Sequence, residues 1–173
     1  MMNKKELKNL IKEGKVLVIP IGFPGSGKST FFRKMRIHNI ASPDEERLAL
    51  NPQGVDVTLA DGRVVKGIDQ SVSPQAWKNA EEKLYTFINE GKSVAFDATN
   101  LQKGYYEKYI EYAKKNGYTV VAVNFLATVG VEEALRRNEK RWGTIRYVPP
   151  EVIRRMAERR AKVSKKFDAI VLP

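Results

Sequence analysis

The sequence predicts an α/β fold, a parallel sheet of roughly five strands with helices on both faces. Three observations point there. Residues 16–21, VLVIPI, are apolar throughout instead of alternating, the pattern of a strand buried on both sides. A glycine-rich turn follows that run directly and opens a helix. Further along, short β-branched runs take turns with stretches of helical periodicity, the order that parallel crossover connections require.

The elements follow in order. Residues 3–13 space Leu7, Leu10 and Ile11 at helical intervals, and Gly14 stands where a helix ends. After the strand at 16–21, residues 28–36 read as a helix carrying Phe31, Phe32 and Met35, and 38–41 as a short second strand. Ser42 as N-cap with Pro43 at the first helical position starts another helix. In DVTLADGRVVKG, strand-like runs flank Asp61-Gly62, which suits the positive φ angles of a type I′ turn, so about 55–67 reads as an inserted hairpin. Ser73-Pro74 opens a long helix with Trp77, Ala80, Leu84, Phe87 and Ile88 in one stripe, closed by Gly91. Strand SVAF, a helix over 102–116 with Tyr106, Tyr109, Ile110 and Ala113 on one face, and strand TVVAVNF come next. A helix over 131–141, a loop holding Gly143 and Pro149-Pro150, a helix from Glu151 and a last strand DAIVL end the series. No repeat or linker interrupts it, so 1–173 reads as one domain.

Without cysteine, neither a disulfide framework nor a cysteine-based zinc site is possible. The longest apolar runs are strand-sized and the first residues lack the apolar stretch of a signal peptide, which predicts a soluble, cytoplasmic protein with no membrane association. Net charge is +11, and residues 136–166 hold 12 Lys or Arg against three acids. Such an excess suits an anionic partner, or simply a solvated basic face.

Gly22 to Thr30 reads GFPGSGKST and satisfies GxxxxGK[ST] between a buried strand and a helix, the context that pattern needs. Gly22, Gly25 and Gly27 let the loop bend around Pro24, which has no N–H of its own, so that the N–H groups from Gly25 and Ser26 onward turn inward, and the helix N-terminus adds its positive end. Lys28 supplies a charge for the β- and γ-phosphates, the Ser29 hydroxyl a ligand for Mg²⁺, and Thr30 a further phosphate contact. The bland alternative is a glycine turn with no ligand.

Asp97 ends the apolar run 94–96, where a carboxylate at a strand's C-terminal end reaches a magnesium ion beside the phosphates; such residues also merely begin turns. Asp44 lies just past the second strand and faces the same crevice, placed to take a proton from an attacking hydroxyl. Arg47, one turn on, is placed to hold a phosphate of the acceptor. Asp44, Glu45 and Glu46 in a helix's first turn also simply complement its dipole, and from the residues alone that reading is the stronger. Arg136, Arg137 and Arg141 fall on one predicted helix, and 137 and 141, one turn apart, would close two guanidinium forks over a phosphoryl group or form a solvated face. His38 reads as a polar strand-edge residue, and Tyr105, Tyr106, Tyr109 and Tyr112 as packing.

Taken in order, GFPGSGKST, PDEER at 43–47, DATN at 97–100 and RRNEKRWGTIRYVPPEVIRRM from 136 resemble the polynucleotide 5′-hydroxyl kinase family, with the likeness running over nearly the whole chain. The resemblance implies a P-loop NTPase kinase-like three-layer sandwich with an arginine-bearing lid over about 136–150. It implies ATP as phosphate donor with Mg²⁺, and the 5′-hydroxyl end of DNA or RNA as acceptor. By it, Asp44 looks like the general base, Arg47 like the residue that binds the acceptor's neighbouring phosphate, and Arg137 and Arg141 like the lid arginines on the donor. Two features depart from the family: Pro43 stands where a polar or basic residue is common, and the hairpin near Asp61-Gly62 falls where the acceptor channel is shaped.

Two other functions fit the same residues. One is a P-loop kinase of a small molecule or modified nucleotide, with the charge incidental. The other is an ATP-binding, nucleic-acid-binding module with slow ATPase activity. No NKxD guanine-reading motif is present.

Overall fold

The computed structural model describes residues 1–173. Five strands, β1 (Val16–Ile21), β2 (Ile40–Ala41), β5 (Val94–Phe96), β6 (Thr119–Asn124) and β7 (Ala169–Val171), form one sheet in the order β2-β5-β1-β6-β7. Every pairing in it is parallel. The central strand explains the unbroken apolar run at its start: all six of its residues are buried, with Leu17, Ile19 and Ile21 entering one core and Val16 and Val18 the other. A strand with two covered faces has no polar side to alternate with.

The first core is closed by α4 (Ser73–Asn89) and α5 (Lys103–Lys115), with α6 (Val131–Glu139) and α7 (Pro150–Arg159) beyond them. Tyr106, Tyr109, Phe23, Phe96 and Leu84 are among its large enclosed side chains. α1 (Lys4–Glu13) and α2 (Lys28–Met35) cover the opposite face through Leu7, Ile11, Phe31 and Phe32. Asn3 caps α1 in a reciprocal box with Glu6, their backbone and side-chain bonds measuring 2.8 and 2.9 Å. α3 (Pro43–Leu50) packs on α4 at the β2 edge, with Ser42 capping it as expected.

The inserted hairpin is present as a separate two-stranded sheet, β3 (Val55–Thr58) against β4 (Val64–Gly67). Its turn is not type I′. Only Gly62 has positive φ, at 87°, and Gly62 N–H donates to the Leu59 carbonyl at 2.9 Å while Leu59 N–H donates to Arg63 at 2.7 Å. The connection is thus a longer one, a tight turn followed by a left-handed glycine. Asp61 stays at negative φ because its carboxylate accepts from the Arg63 backbone at 3.0 Å and side chain at 2.7 Å.

No helix is long and apolar enough to cross a membrane.

Candidate active site

In a parallel sheet the C-terminal strand ends share one rim, and the candidate residues gather there. Gly22 follows β1, Ser42 follows β2 and Asp97 follows β5. A hydrogen bond of 3.0 Å from Gly22 N–H to the Thr99 carbonyl joins two of these loops. Asn100 braces the junction from within: buried and at positive φ, it donates through Nδ2 to the carbonyls of Pro20 at 2.8 Å and Phe96 at 3.1 Å.

The glycines of the cradle have different reasons. Gly25 and Gly27 sit at φ 81° and 100°, whereas a Cβ on Gly22 would stand 2.7 Å from Phe125 Cβ and 2.8 Å from Ser26 Oγ. α2 then begins at Lys28 with no side-chain cap, and the N–H groups of Gly27, Lys28, Ser29 and Thr30 meet no protein acceptor. Unfilled donors at a helix N-terminus, on a backbone bent around an open space, suit phosphate oxygens. Lys28 Nζ folds back to the carbonyls of Gly22 at 3.2 Å and Phe23 at 3.0 Å. Burial pushes its pKa below the ordinary lysine value, Arg141 pushes the same way, and Asp97 and Asp44 oppose them.

The cavity over this loop, about 350 Å³, is lined by Pro24, Gly25, Ser26, Gly27, Lys28, Ser29 and Thr30, and also by Asp44, Asp97, Arg137 and Arg141. Sequence positions more than a hundred apart are thereby brought onto one crevice. Asp97 makes no ion pair within 4 Å and no side-chain hydrogen bond, and burial raises its pKa, with Lys28 pulling the other way. Ser29 and Asp97 are two of the oxygen donors that line this space, along with Asp44 and Glu45, and no group of three or more acids or histidines stands ready for a metal. Two protein oxygens beside a phosphate cradle fit Mg²⁺, which keeps waters and phosphate oxygens as its other ligands.

The arginines are arranged differently from the sequence expectation. α6 ends at Glu139, so Arg141 is not on the helix with Arg136 and Arg137 but in the turn after it, its N–H donating to the Asn138 carbonyl at 2.9 Å. The last bonds here run to the third residue back, and this tightening ends the helix and swings Arg141 round to the crevice. Arg136 turns to Glu133, both bonds measuring 2.7 Å, and does not reach the cavity. Arg137 shares Glu133 at 2.7 Å and donates to the Ser26 carbonyl at 3.2 Å. Arg136 and Arg137 together hold the Glu133 carboxyl down at about 2. Arg141 has no acid within 4 Å; burial first and the nearby Arg146 second disfavour its charge.

Asp44 Oδ1 accepts from Arg47 Nη1 at 2.7 Å, and Arg47 Nε donates to Ser73 Oγ at 2.9 Å. The arginine side chain is 11% exposed and the carboxylate 54%. Arg47 lines not the phosphate crevice but the next cavity, about 410 Å³, which Asp44 and Asp97 also line. That space is walled by the hairpin through Val57 and Gly67 and by Ile145, Arg146 and Tyr147 of the predicted lid segment. Asp44 thus stands between two chambers.

Sequence reasoning missed Arg146, Asn138 and Trp77. Arg146 lines both chambers and pairs with Glu45 at 2.5 Å. Asn138, fully buried, grips Val148 from both sides, donating to its carbonyl at 2.6 Å and accepting from its N–H at 3.1 Å. Asn138 and Arg146 fall within the motif quoted from 136 and Trp77 within an apolar stripe, but their roles come from contacts that spacing does not show: Glu45 for Arg146, and the backbone of Val148, ten residues on, for Asn138. Among the tyrosines, Tyr106 and Tyr109 pack in the core as expected, but Tyr105 is 63% exposed. His38 is exposed.

Solved structures share this architecture. A chain of the Pnkp1/Rnl/Hen1 RNA repair complex superposes with a TM-score of 0.62 at 23% identity, covering 84% of this chain and 43% of that one. A chain of the AvrRxo1-ORF1:ORF2 complex with ATP gives 0.56 at 16%, covering 87% and 49%. The PezAT toxin-antitoxin system of Streptococcus pneumoniae gives 0.52 at 16%, covering 88% and 66%. The chain spans less than half the length of the matched chains of the first two complexes. At these identities the likeness is one of fold, that of P-loop kinase-like domains. No curated protein matches the chain. Residues 17–163 match the model of the AAA domain family, and over that span, most of its length, the chain belongs to this family.

Proposed function

We infer that the chain is an ATP-dependent kinase that transfers the γ-phosphate to the 5′-hydroxyl of DNA or RNA with Mg²⁺. One observation carries the reading: Asp44 borders both the phosphate crevice and a separate chamber holding Arg47, so a base stands where a donor and an acceptor would meet. The resemblance of the four ordered motifs and the basic stretch from 136 to 166 support a nucleic-acid acceptor.

The unfilled N–H groups from Gly27 to Thr30 would take the triphosphate oxygens, with Lys28 leaving its two carbonyls for them. When bound at Ser29 and Asp97, Mg²⁺ supplies charge neutralisation on the donor phosphates. Asp44 accepts the proton as the acceptor oxygen bonds to the γ-phosphorus and the bond to the bridging oxygen breaks, releasing ADP. Arg47 orients that carboxylate and offers its remaining nitrogen to the acceptor's phosphate. Arg137 and Arg141 neutralise charge on the transferring group.

The second chamber's mostly non-polar wall, closed over by the hairpin, favours one other reading, a small-molecule acceptor. Incubation with γ-labelled ATP, 5′-hydroxyl oligonucleotides of DNA and RNA, and the mononucleotides separates them. Wild type is expected to label the oligonucleotides, Lys28→Ala to label nothing, and Asp44→Asn to lose about 10²-fold or more in rate. Full activity of Asp44→Asn removes that residue from the base role.

A further inference from the structure

A third cavity, about 460 Å³, adjoins the acceptor chamber and has no part in the chemistry above. Trp77, Thr99, Val152 and Met156 line both spaces, so the wall of one continues into the other. Its distinctive members are two aromatic rings and two cations. Trp77 and Tyr105 lie with ring centroids 6.2 Å apart and planes 32° apart, and the tyrosine is largely open to solvent. Arg155 and Arg159 come from the facing side of α7, both exposed and neither paired with an acid within 4 Å. No acidic residue lines the cavity. The Gln102 side chain donates to the Arg159 carbonyl and joins the end of α7 to the start of α5, so the groove has two tied walls.

We propose that this groove is the track for the strand behind the acceptor's terminal nucleotide, its bases stacking on Trp77 and Tyr105 and its phosphates meeting Arg155 and Arg159. Stacked aromatic faces beside unpaired cations are the pattern by which single strands are held without base readout. Cations with no internal acid fit a polyanion better than an uncharged metabolite, whose binding would gain nothing from them. Position supplies the direction: the track leaves the chamber that Asp44 and Arg47 border, and the exposed cations Arg160 and Lys162 lie just past α7. The preferred acceptor is then an unpaired strand several nucleotides long, not a mononucleotide. This rests on the reading of the chain as a 5′-hydroxyl kinase.

The test is KM for 5′-hydroxyl acceptors of rising length, from a nucleoside 3′-phosphate to a hexanucleotide, together with anisotropy of a 3′-labelled hexathymidylate without ATP. For wild type, KM is expected to fall at least about tenfold from the shortest to the longest acceptor. Tyr105→Ala should raise the hexanucleotide KM and Kd about tenfold, with Tyr105→Phe restoring both because the stacking face remains. Arg155→Gln with Arg159→Gln should flatten the log Kd against log salt slope by roughly 1.4, about 0.7 for each lost single-strand phosphate contact. Lys4→Gln, on α1 over the opposite sheet face, removes a charge elsewhere and should change neither. KM independent of length, or hexanucleotide binding untouched by the Tyr105 and arginine changes, overturns the track while leaving the kinase reading in place. If no acceptor is labelled, the kinase reading fails, and anisotropy alone then decides: loss of binding in these variants upholds the groove, and no binding by wild type overturns it.

Discussion

Replacing Asn138 by alanine should loosen the arginine-bearing loop without touching the phosphate cradle. The asparagine is fully buried and closes a ten-residue span by holding both the N–H and the carbonyl of Val148. Each bond contributes about 1 kcal/mol net, and a buried group left without a partner costs about 1–3 kcal/mol. Val148 is only partly buried, so water can reach its backbone in part and the total falls toward the lower end, about 2–4 kcal/mol. For a domain of this size that lowers Tm by roughly 5–15 °C. Because Arg141 and Arg146 lie inside the span, the ordered loop becomes less populated, and ATP affinity should fall about three- to tenfold. Asn138→Asp supplies the control. Its carboxylate keeps the bond from Val148 N–H but faces the Val148 carbonyl, so the folded state raises its pKa; stability is poor at neutral pH and recovers as acid restores a donor. Urea melts at two pH values and calorimetric ATP titrations read all of this. A loss under about 1 kcal/mol, or unchanged ATP affinity in a clearly destabilised Asn138→Ala, refutes the reasoning.

The two cavity-facing arginines should differ. Arg137 already shares Glu133 and must give up an exposed pair worth little, so Arg137→Gln should weaken ATP by only a few-fold; Arg141, half-enclosed and without an acid, should cost about tenfold or more when changed to glutamine. Equal losses by calorimetry would show that pairing in the free protein does not matter. Asp97→Asn should raise the stability of ligand-free protein at pH 7.5 while weakening Mg²⁺-nucleotide binding. Burial holds the carboxyl's folded pKa above its unfolded value, so charge costs stability that is fully felt above the folded pKa and is relieved as pH falls through it. The gain over wild type should therefore shrink toward acid and vanish below the unfolded carboxylate pKa; thermal melts showing a gain that grows toward acid would reverse the assignment.

The parts of the fold that were legible are those whose cause is local. β1 announces itself because each of its residues must be apolar for one core or the other, and the cradle because its glycines, lysine and hydroxyl stand in one short segment. Asp61-Gly62 misled because a dipeptide rich in Asp and Gly serves several turns, and the Arg63 bonds to Asp61 chose among them. Arg141 was placed on a helix because periodicity has no term for a last turn that tightens. Trp77 reads as part of a helix's apolar stripe and Tyr105 as packing, yet Tyr105 stands 63% exposed. That α7 would pass opposite them with unpaired arginines is a fact of tertiary structure, carried by no spacing in either helix.

The crevice also shows why these residues are poor contributors to the stability of the free protein. Lys28 is disfavoured by burial and by Arg141, Arg141 by burial and by Arg146, and Asp97 by burial and by Asp44 and Glu45. Asp97 and Lys28 offset one another only in part, since they lie beyond ion-pair distance. A fold selected only for stability would pair or remove these charges, as Arg136 and Arg137 are paired through Glu133. What would relieve all of them at once is a polyanion carrying its own cation: phosphates for Lys28 and Arg141, a metal for Asp97. The mismatch among the protein's own charges therefore describes the complement it lacks, and binding of a magnesium nucleotide should stabilise the chain by more than cradle contacts alone would give, through the strain it removes.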